Sequence, residues 1–190
     1  MRRHFTATGF VVQTSRTLLH WHKRLQQWLP PGGHIEPDED PVQAVLREIR
    51  EETGATAEII PSVPVLPFTD PGQLQPPYTI LVEDIPEPGG THQHIDLIYF
   101  CRLADGSPDP SLGDFYWVDE DTLRSDQPLD LAPPLADGVA VPIAEDVRLL
   151  AIKAIQTARG CDRHSERIEE SRLPTEALRS AQGDKPKEEK

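Results

Sequence analysis

The stretch from Gly33 to Ala55, GHIEPDEDPVQAVLREIREETGA, constrains this chain more than any other. Val42, Val45, Leu46 and Ile49 fall at i, i+3, i+4 and i+7, which predicts an amphipathic helix with one apolar stripe. Asp40 or a neighbour is placed to cap it, Pro41 suits its first turn, and Gly54 suits its C-terminal end. Arg47, Glu48, Glu51 and Glu52 lie off the stripe, and the three carboxylates share one surface. Like charges at that spacing destabilise an isolated helix by roughly 0.2–0.5 kcal/mol per pair. A hard divalent cation would relieve that repulsion, because carboxylate oxygens suit Mg²⁺ or Mn²⁺. The plainer alternative is a solvated acidic helix face.

The stretch resembles the Nudix signature: glycine, five residues, Glu, seven residues, then Arg-Glu-hydrophobic-x-Glu-Glu-x-Gly-hydrophobic. Gly33, Glu39, Arg47, Glu48, Ile49, Glu51, Glu52 and Gly54 fill the defined positions, and Ala55 fills the last hydrophobic one weakly. So complete a spacing is far more specific than a lone glycine-rich motif. The resemblance, to the MutT-like Nudix hydrolases, covers roughly residues 4–158. It implies an α/β (α+β) fold, the α/β/α sandwich with a mixed β-sheet, and a domain over residues 1–158. It also implies Mg²⁺, with Mn²⁺ as a substitute, and hydrolysis of a phosphoanhydride in a nucleoside diphosphate linked to another moiety. A homodimer is a further option that the family carries.

By the same resemblance, Glu48 and Glu52 are the principal metal ligands, Glu51 shares a metal, and the carbonyl of Gly32 adds a ligand. Gly33, Glu39 and Arg47 support these groups, Arg47 by pairing with acids and setting glutamate rotamers. Glu36 is a weaker ligand candidate. Catalysis then rests on Glu51, Glu52 and Arg47 with a general base whose position varies within the family. The informative segment is Thr91-His92-Gln93-His94-Ile95-Asp96. In a strand, His92, His94 and Asp96 alternate onto one side, where they can bind metal, take a proton or hold phosphate. Asp96 is the base candidate and His94 a substrate contact, with Glu83 and Glu120 as further acids. A hairpin end with exposed histidines is the bland reading. Trp28, beside the glycine loop, is the aromatic best placed to stack a base; Phe68 and Tyr78 are alternatives, and core packing competes for all three.

Composition narrows the partners. The 190 residues suit one domain, while 37% hydrophobic content and 20 prolines point to long loops or a tail. A net charge of −13 disfavours long nucleic acid, mRNA cap decapping included, and anionic membrane; it leaves a small polyanion open, since bound metal reverses the local field. Cys101 and Cys161 give neither metal spacing nor a disulfide framework, and Cys101 sits in an apolar run as a buried small hydrophobe. Without an 18-residue apolar stretch or a signal-peptide pattern, a soluble cytoplasmic protein is the expectation.

Strands are predicted at Phe5–Gln13, Thr17–His22, Glu58–Pro67, Tyr78–Ile85, Ile95–Leu103 and Phe115–Val118. Pro30 to Gly33 reads as a tight loop, and Pro86 to Gly90 as a hairpin connection. Phe68 to Pro77 reads as a loop lying over the substrate. Asp119 to Leu123 resembles a short helical turn of the family, and Asp126 to Gly138 is a proline-containing connection. Val147, Leu150, Ala151, Ala154 and Ile155 mark a second amphipathic helix over Ile143–Ala158. From Arg159 onward 8 basic and 8 acidic residues cancel and large apolar residues are few, so 159–190 reads as a disordered or loosely helical tail without function. A partner-binding tail is the competing reading.

Overall fold

A computed structural model describes residues 2–110, 114–129 and 141–172, with side chains through Asp162. The elements are β1 (Arg3–Gln13), β2 (Arg16–His22), β3 (Gln27–Leu29), β4 (Gly32–His34), α1 (Pro41–Thr53), β5 (Ala57–Ile59), β6 (Thr79–Glu87), β7 (Gly90–Leu103), β8 (Phe115–Asp119), α2 (Glu120–Ser125) and α3 (Glu145–Arg172). The strands form one mixed sheet ordered β3-β2-β1-β7-β5, with β4 on β1, β6 on β7 and β8 on β2. The central pair, β1 and β7, is parallel and in register from Arg3↔Gln93 to Val12↔Arg102; the other pairs are antiparallel.

Strand alternation sorts β1 into two layers. Ala7 and Val11 face α1, packing with Val45, Ile49, Tyr99 and Cys101. Phe10 and Val12 face α3, packing with Ile98, Phe100, Ala151 and Ile155. A sheet covered by a helix on each face is the expected α/β/α sandwich. Gly9 lets α1 approach the sheet: a Cβ there would lie 2.7 Å from Ile49 Cδ1 and 2.9 Å from Val45 Cγ2. Cys101 is fully buried, as its apolar run suggests.

Several boundaries differ from expectation. The strand over Glu58–Pro67 is cut to β5, ending one bond later where the Ile60 amide donates to the Phe100 carbonyl. Pro61, Pro64 and Pro67 lack the amide hydrogen a ladder needs, and Val63, Val65 and Leu66 are left exposed. The glycine loop is partly a strand: β4 pairs Ala7↔Gly33 and Thr8↔Gly32. The β6–β7 hairpin closes through Pro88-Gly89 alone, with Pro86 paired to Thr91. Pro86 is tolerated because, among the described residues, β6 pairs only with β7 and its other edge carries no ladder to break. Helix α3 continues past Ala158 to Arg172, anchored by Arg159–Glu120 and Arg102–Asp162 ion pairs. Most of the connection expected over Asp126–Gly138, and the chain after Arg172, lie outside the described residues. No helix among the described residues is long and apolar enough to cross a membrane.

Candidate active site

Helix α1 is fixed at both ends by local chemistry. The Asp40 carboxylate accepts from the amides of Val42 and Gln43, both at 2.9 Å, and the Gln43 side chain accepts from the Asp40 amide at 3.0 Å. Gly54 closes the helix at φ 71°, its amide donating to the Arg50 carbonyl. This frame sets the azimuth of the charged face.

On that face Arg47 is the hub. Its guanidinium grips Glu39 with two bonds of 2.6 and 2.9 Å, donates to Glu48 Oε1 at 2.9 Å and to Glu51 Oε2 at 3.0 Å, and reaches the His34 carbonyl at 3.0 Å. Bidentate, charge-assisted bonds of this kind are the strong ones. They raise the guanidinium pKa further, chiefly through Glu39, and hold Glu39 below the usual carboxylate range. None of these bonds goes to Glu52. Its Oε2 instead accepts from the Gly32 amide at 3.1 Å, tying α1 to β4. Although the side chain keeps a solvent-facing edge, desolvation first, then the charges of Glu48 and Glu51, push the Glu52 pKa up to about 7, against the pull of the Gly32 amide.

Three carboxylates therefore meet one guanidinium, and a fourth, Glu52, stands beside them without it. The Glu48 carboxylate occupies the space that a Cβ on Gly33 would take, so any side chain there would push the carboxylate aside. At Gly32 a Cβ would lie 2.7 Å from Thr8 Oγ1 and 2.8 Å from the Ala7 carbonyl. An all-oxygen donor set with surplus negative charge fits a hard divalent cation. Glu36 is exposed, and its amide donates to Glu39 Oε2 at 3.2 Å.

Gly32 and Gly33 also border a cleft of about 250 Å³ on the α3 face of the sheet, with Glu83, His94 and Asp96 in its wall. Asp96 is 5% exposed, and its Oδ1 accepts from Thr6 Oγ1 at 2.9 Å and Thr8 Oγ1 at 3.0 Å. Burial raises its pKa, and the two hydroxyls oppose the rise. Burial, then the neighbouring charges of Asp96 and Asp146, push Glu83 up to about 7. His94 is driven down to about 4, by burial first and then by His34, His92, His4 and Arg24. The predicted alternation of His92, His94 and Asp96 holds to this extent: His94 and Asp96 line the cleft, and His92 contacts His94 just beyond it.

Other candidates are placed elsewhere. Trp28 is 4% exposed in the core, 5.5 Å from Trp21 and 5.8 Å from Tyr116 between ring centroids, so it cannot stack a substrate base. Its neighbours on β2 and β8 supply enough aromatic surface to bury it. Tyr78 stacks on Phe100 at 4.2 Å, and Phe68 is an exposed loop residue. The loop from Phe68 to Pro77 does not border the cleft; it folds on itself through Gln73 and Gln75 side-chain bonds to Leu66, Phe68, Ser62 and Val63. Glu120 is neutralised by Arg124 and Arg159 and lies outside the cleft, which removes it as a base. Reading the sequence missed Thr6, Thr8, Arg24 and Asp146. The two threonines become significant only through the parallel pairing Thr6↔Asp96, and Arg24 only because the turn after β2 bends it to the cleft.

Known proteins place this arrangement. The description "NUDIX domain" matches residues 2–140. A NUDIX-family hydrolase structure from Clostridium perfringens superimposes with a TM-score of 0.61 at 25% identity, covering 82% of this chain and 98% of that one. A mouse bis(5'-nucleosyl)-tetraphosphatase is 45% identical over 40 residues, 21% of this chain and 27% of the relative. An RNA pyrophosphohydrolase of Acidiphilium cryptum is 54% identical over 39 residues, 20% of this chain and 24% of the relative. Those alignments thus span about a quarter of the curated relatives' length. Signature, sandwich and domain match agree, and this chain belongs to the NUDIX domain family.

Proposed function

We propose that this protein hydrolyses a phosphoanhydride bond in a nucleoside diphosphate linked to another moiety, using Mg²⁺ or, in its place, Mn²⁺. The observation that carries the reading is the carboxylate surplus on α1, set against Gly32 and Gly33 at the cleft. Glu48, Glu52, Glu51 and the Gly32 carbonyl would hold the ion. When bound, such an ion neutralises phosphate charge and acidifies a coordinated water. Arg47 holds Glu48 and Glu51 in fixed rotamers while Glu39 anchors Arg47. Arg24 supplies the cleft with a cation for phosphate oxygens. Glu83 is the general base on this reading: it lines the cleft, and a carboxyl titrating near 7 balances basicity against occupancy of the charged form. Burial chiefly keeps Glu83 in that range, with the charges of Asp96, held by Thr6 and Thr8, and of Asp146 adding to it.

The named activities of the mouse and Acidiphilium relatives, cleavage within a nucleoside tetraphosphate bridge and an RNA pyrophosphate, support the reaction class. The chain's acidity supports a small substrate over a long polymer, and the cytoplasm is the matching location. The test is a phosphate-release screen over nucleoside triphosphates, nucleotide sugars, ADP-ribose and dinucleoside polyphosphates with Mg²⁺ or Mn²⁺. Wild type and Glu52→Gln run side by side. Turnover lost in the variant supports the assignment; a variant as active as wild type overturns the role of Glu52, and silence across the panel with metal bound favours a ligand sensor.

A further inference from the structure

Four imidazoles meet at the outer end of the β1–β7 row. His4 on β1 is the register partner of His94 on β7, His92 lies two residues before His94 on the same face, and His34 projects from β4. His4 Nδ1 is 3.0 Å from His34 Nε2, and His92 Nε2 is 3.1 Å from His94 Nε2. Ring centroids lie 5.0 Å apart for His4–His34, His4–His92 and His34–His94. His4, His92 and His94 each offer a ligand nitrogen, all within 4.8 Å of one another.

Two facing imidazole nitrogens tolerate at most one proton between them, so each close pair presents at least one bare lone pair. Burial makes this expensive to leave unanswered. His92 is 6% exposed, and its Nδ1 lies 3.2 Å from Glu87 Oε1 but at an angle that makes no hydrogen bond. A small rotation of the ring would let Nδ1 donate to that carboxylate, the usual arrangement behind a metal-bound histidine, which leaves Nε2 free for an ion. Glu87 is in turn held by Arg2 at 3.3 Å.

We propose that His4, His92 and His94, with His34 as fourth donor, form a binding site for a borderline transition-metal dication of the Zn²⁺ class. The site is separate in donor chemistry from the oxygen-only set on α1. Zn–N bonds of about 2.0–2.1 Å in a tetrahedron place nitrogens about 3.3 Å apart. The observed pairs at 3.0 and 3.1 Å and the 4.8 Å outer limit bracket that spacing, so small side-chain rotations complete the shell. Imidazole donors prefer Zn²⁺, Ni²⁺ or Cu²⁺ and take Mg²⁺ poorly, whereas the α1 glutamates have the opposite preference. Donors from three neighbouring strands of one sheet are pre-positioned by backbone pairing.

The test is calorimetric Zn²⁺ titration of the tag-free full-length chain in excess Mg²⁺, which occupies the carboxylates. The expected result is one Zn²⁺ per chain, weakened about tenfold or more by His4→Gln and by His92→Gln, and unchanged within about twofold by Glu48→Gln/Glu52→Gln. His4→Gln is the variant least able to disturb folding, since His4 is half-buried near the start of β1, between exposed Arg3 and Phe5; circular dichroism checks both. Absence of Zn²⁺ binding under Mg²⁺, binding equal in wild type and His4→Gln, or loss confined to the glutamate variant would each overturn the site.

Discussion

Replacing Glu83 by Gln separates two properties that its position in the cleft joins. The carboxyl is raised from 4.5 to about 7, so its neutral form is favoured in the folded chain. At about 1.4 kcal/mol per pH unit, that displacement corresponds to a ceiling of about 3 kcal/mol. Asp96 and Asp146 adjust and water reaches the cleft, so about 1–2 kcal/mol is the expected net effect. The sign follows from proton counting. Below about 4.5 both folded and unfolded chains carry the proton and the wild type loses nothing. Between 4.5 and 7 the unfolded chain releases the proton first, so wild-type stability falls as pH rises; above about 7 the penalty is constant. Gln copies the neutral acid at every pH. Urea unfolding should therefore show Glu83→Gln equal to wild type near pH 4 and more stable by about 1–2 kcal/mol near pH 8.5. Turnover should move the opposite way: wild-type activity rises with pH through about 7, and the variant loses about 10²–10⁴-fold. Equal stability near pH 8.5 would refute the desolvation argument. A stability gain with turnover intact would refute the base assignment and turn attention to Asp96.

Three further outcomes are expected. Gly33→Ala should keep the fold by circular dichroism but drive the Glu48 carboxylate from its place, lowering kcat/KM by about 10–100-fold and weakening Mn²⁺ binding in titration. Arg47→Lys keeps the charge but loses the fork on Glu39 and the bond to the His34 carbonyl, so urea unfolding should show a loss of about 1–2 kcal/mol along with reduced turnover. Cys101 is fully buried and its thiol is pushed up to about 12 by desolvation, so a thiol-specific reagent should spare it in the folded chain and modify it only in denaturant, read by mass after digestion.

Elements governed by short-range chemistry were legible from the sequence. The α1 stripe, the Asp40 cap, Pro41 and the Gly54 terminus all follow from rules that act within one helical turn, and the structure follows them. The strand expected over Glu58–Pro67 stops at Ile59 because Pro61, Pro64 and Pro67 lack the amide hydrogen that a ladder needs, which outweighs the strand propensity of the residues between them. The short β4 was hidden because glycine has no strand preference; only the ladder with β1 makes it one.

Long-range pairing decides the rest of the site. Charge spacing along one helix brought Arg47 and its glutamates to notice, yet the sequence cannot show that Arg47 spends its donors on Glu39, Glu48 and Glu51 and leaves Glu52 to a backbone amide on β4. The same limit applies across the sheet. His-x-His-x-Asp marks one face of a strand, but the parallel register of β1 determines what stands beside it: His4 against His94, and Thr6 against Asp96. One register thus sets the hydroxyls that hold Asp96 and the fourfold imidazole contact beyond it. A slip of one residue would turn both sets to the opposite face. The aliphatic alternation of Ala7 and Val11 toward α1, with Phe10 and Val12 toward α3, is what forbids that slip, so the core packing of β1 fixes the chemistry of its polar end.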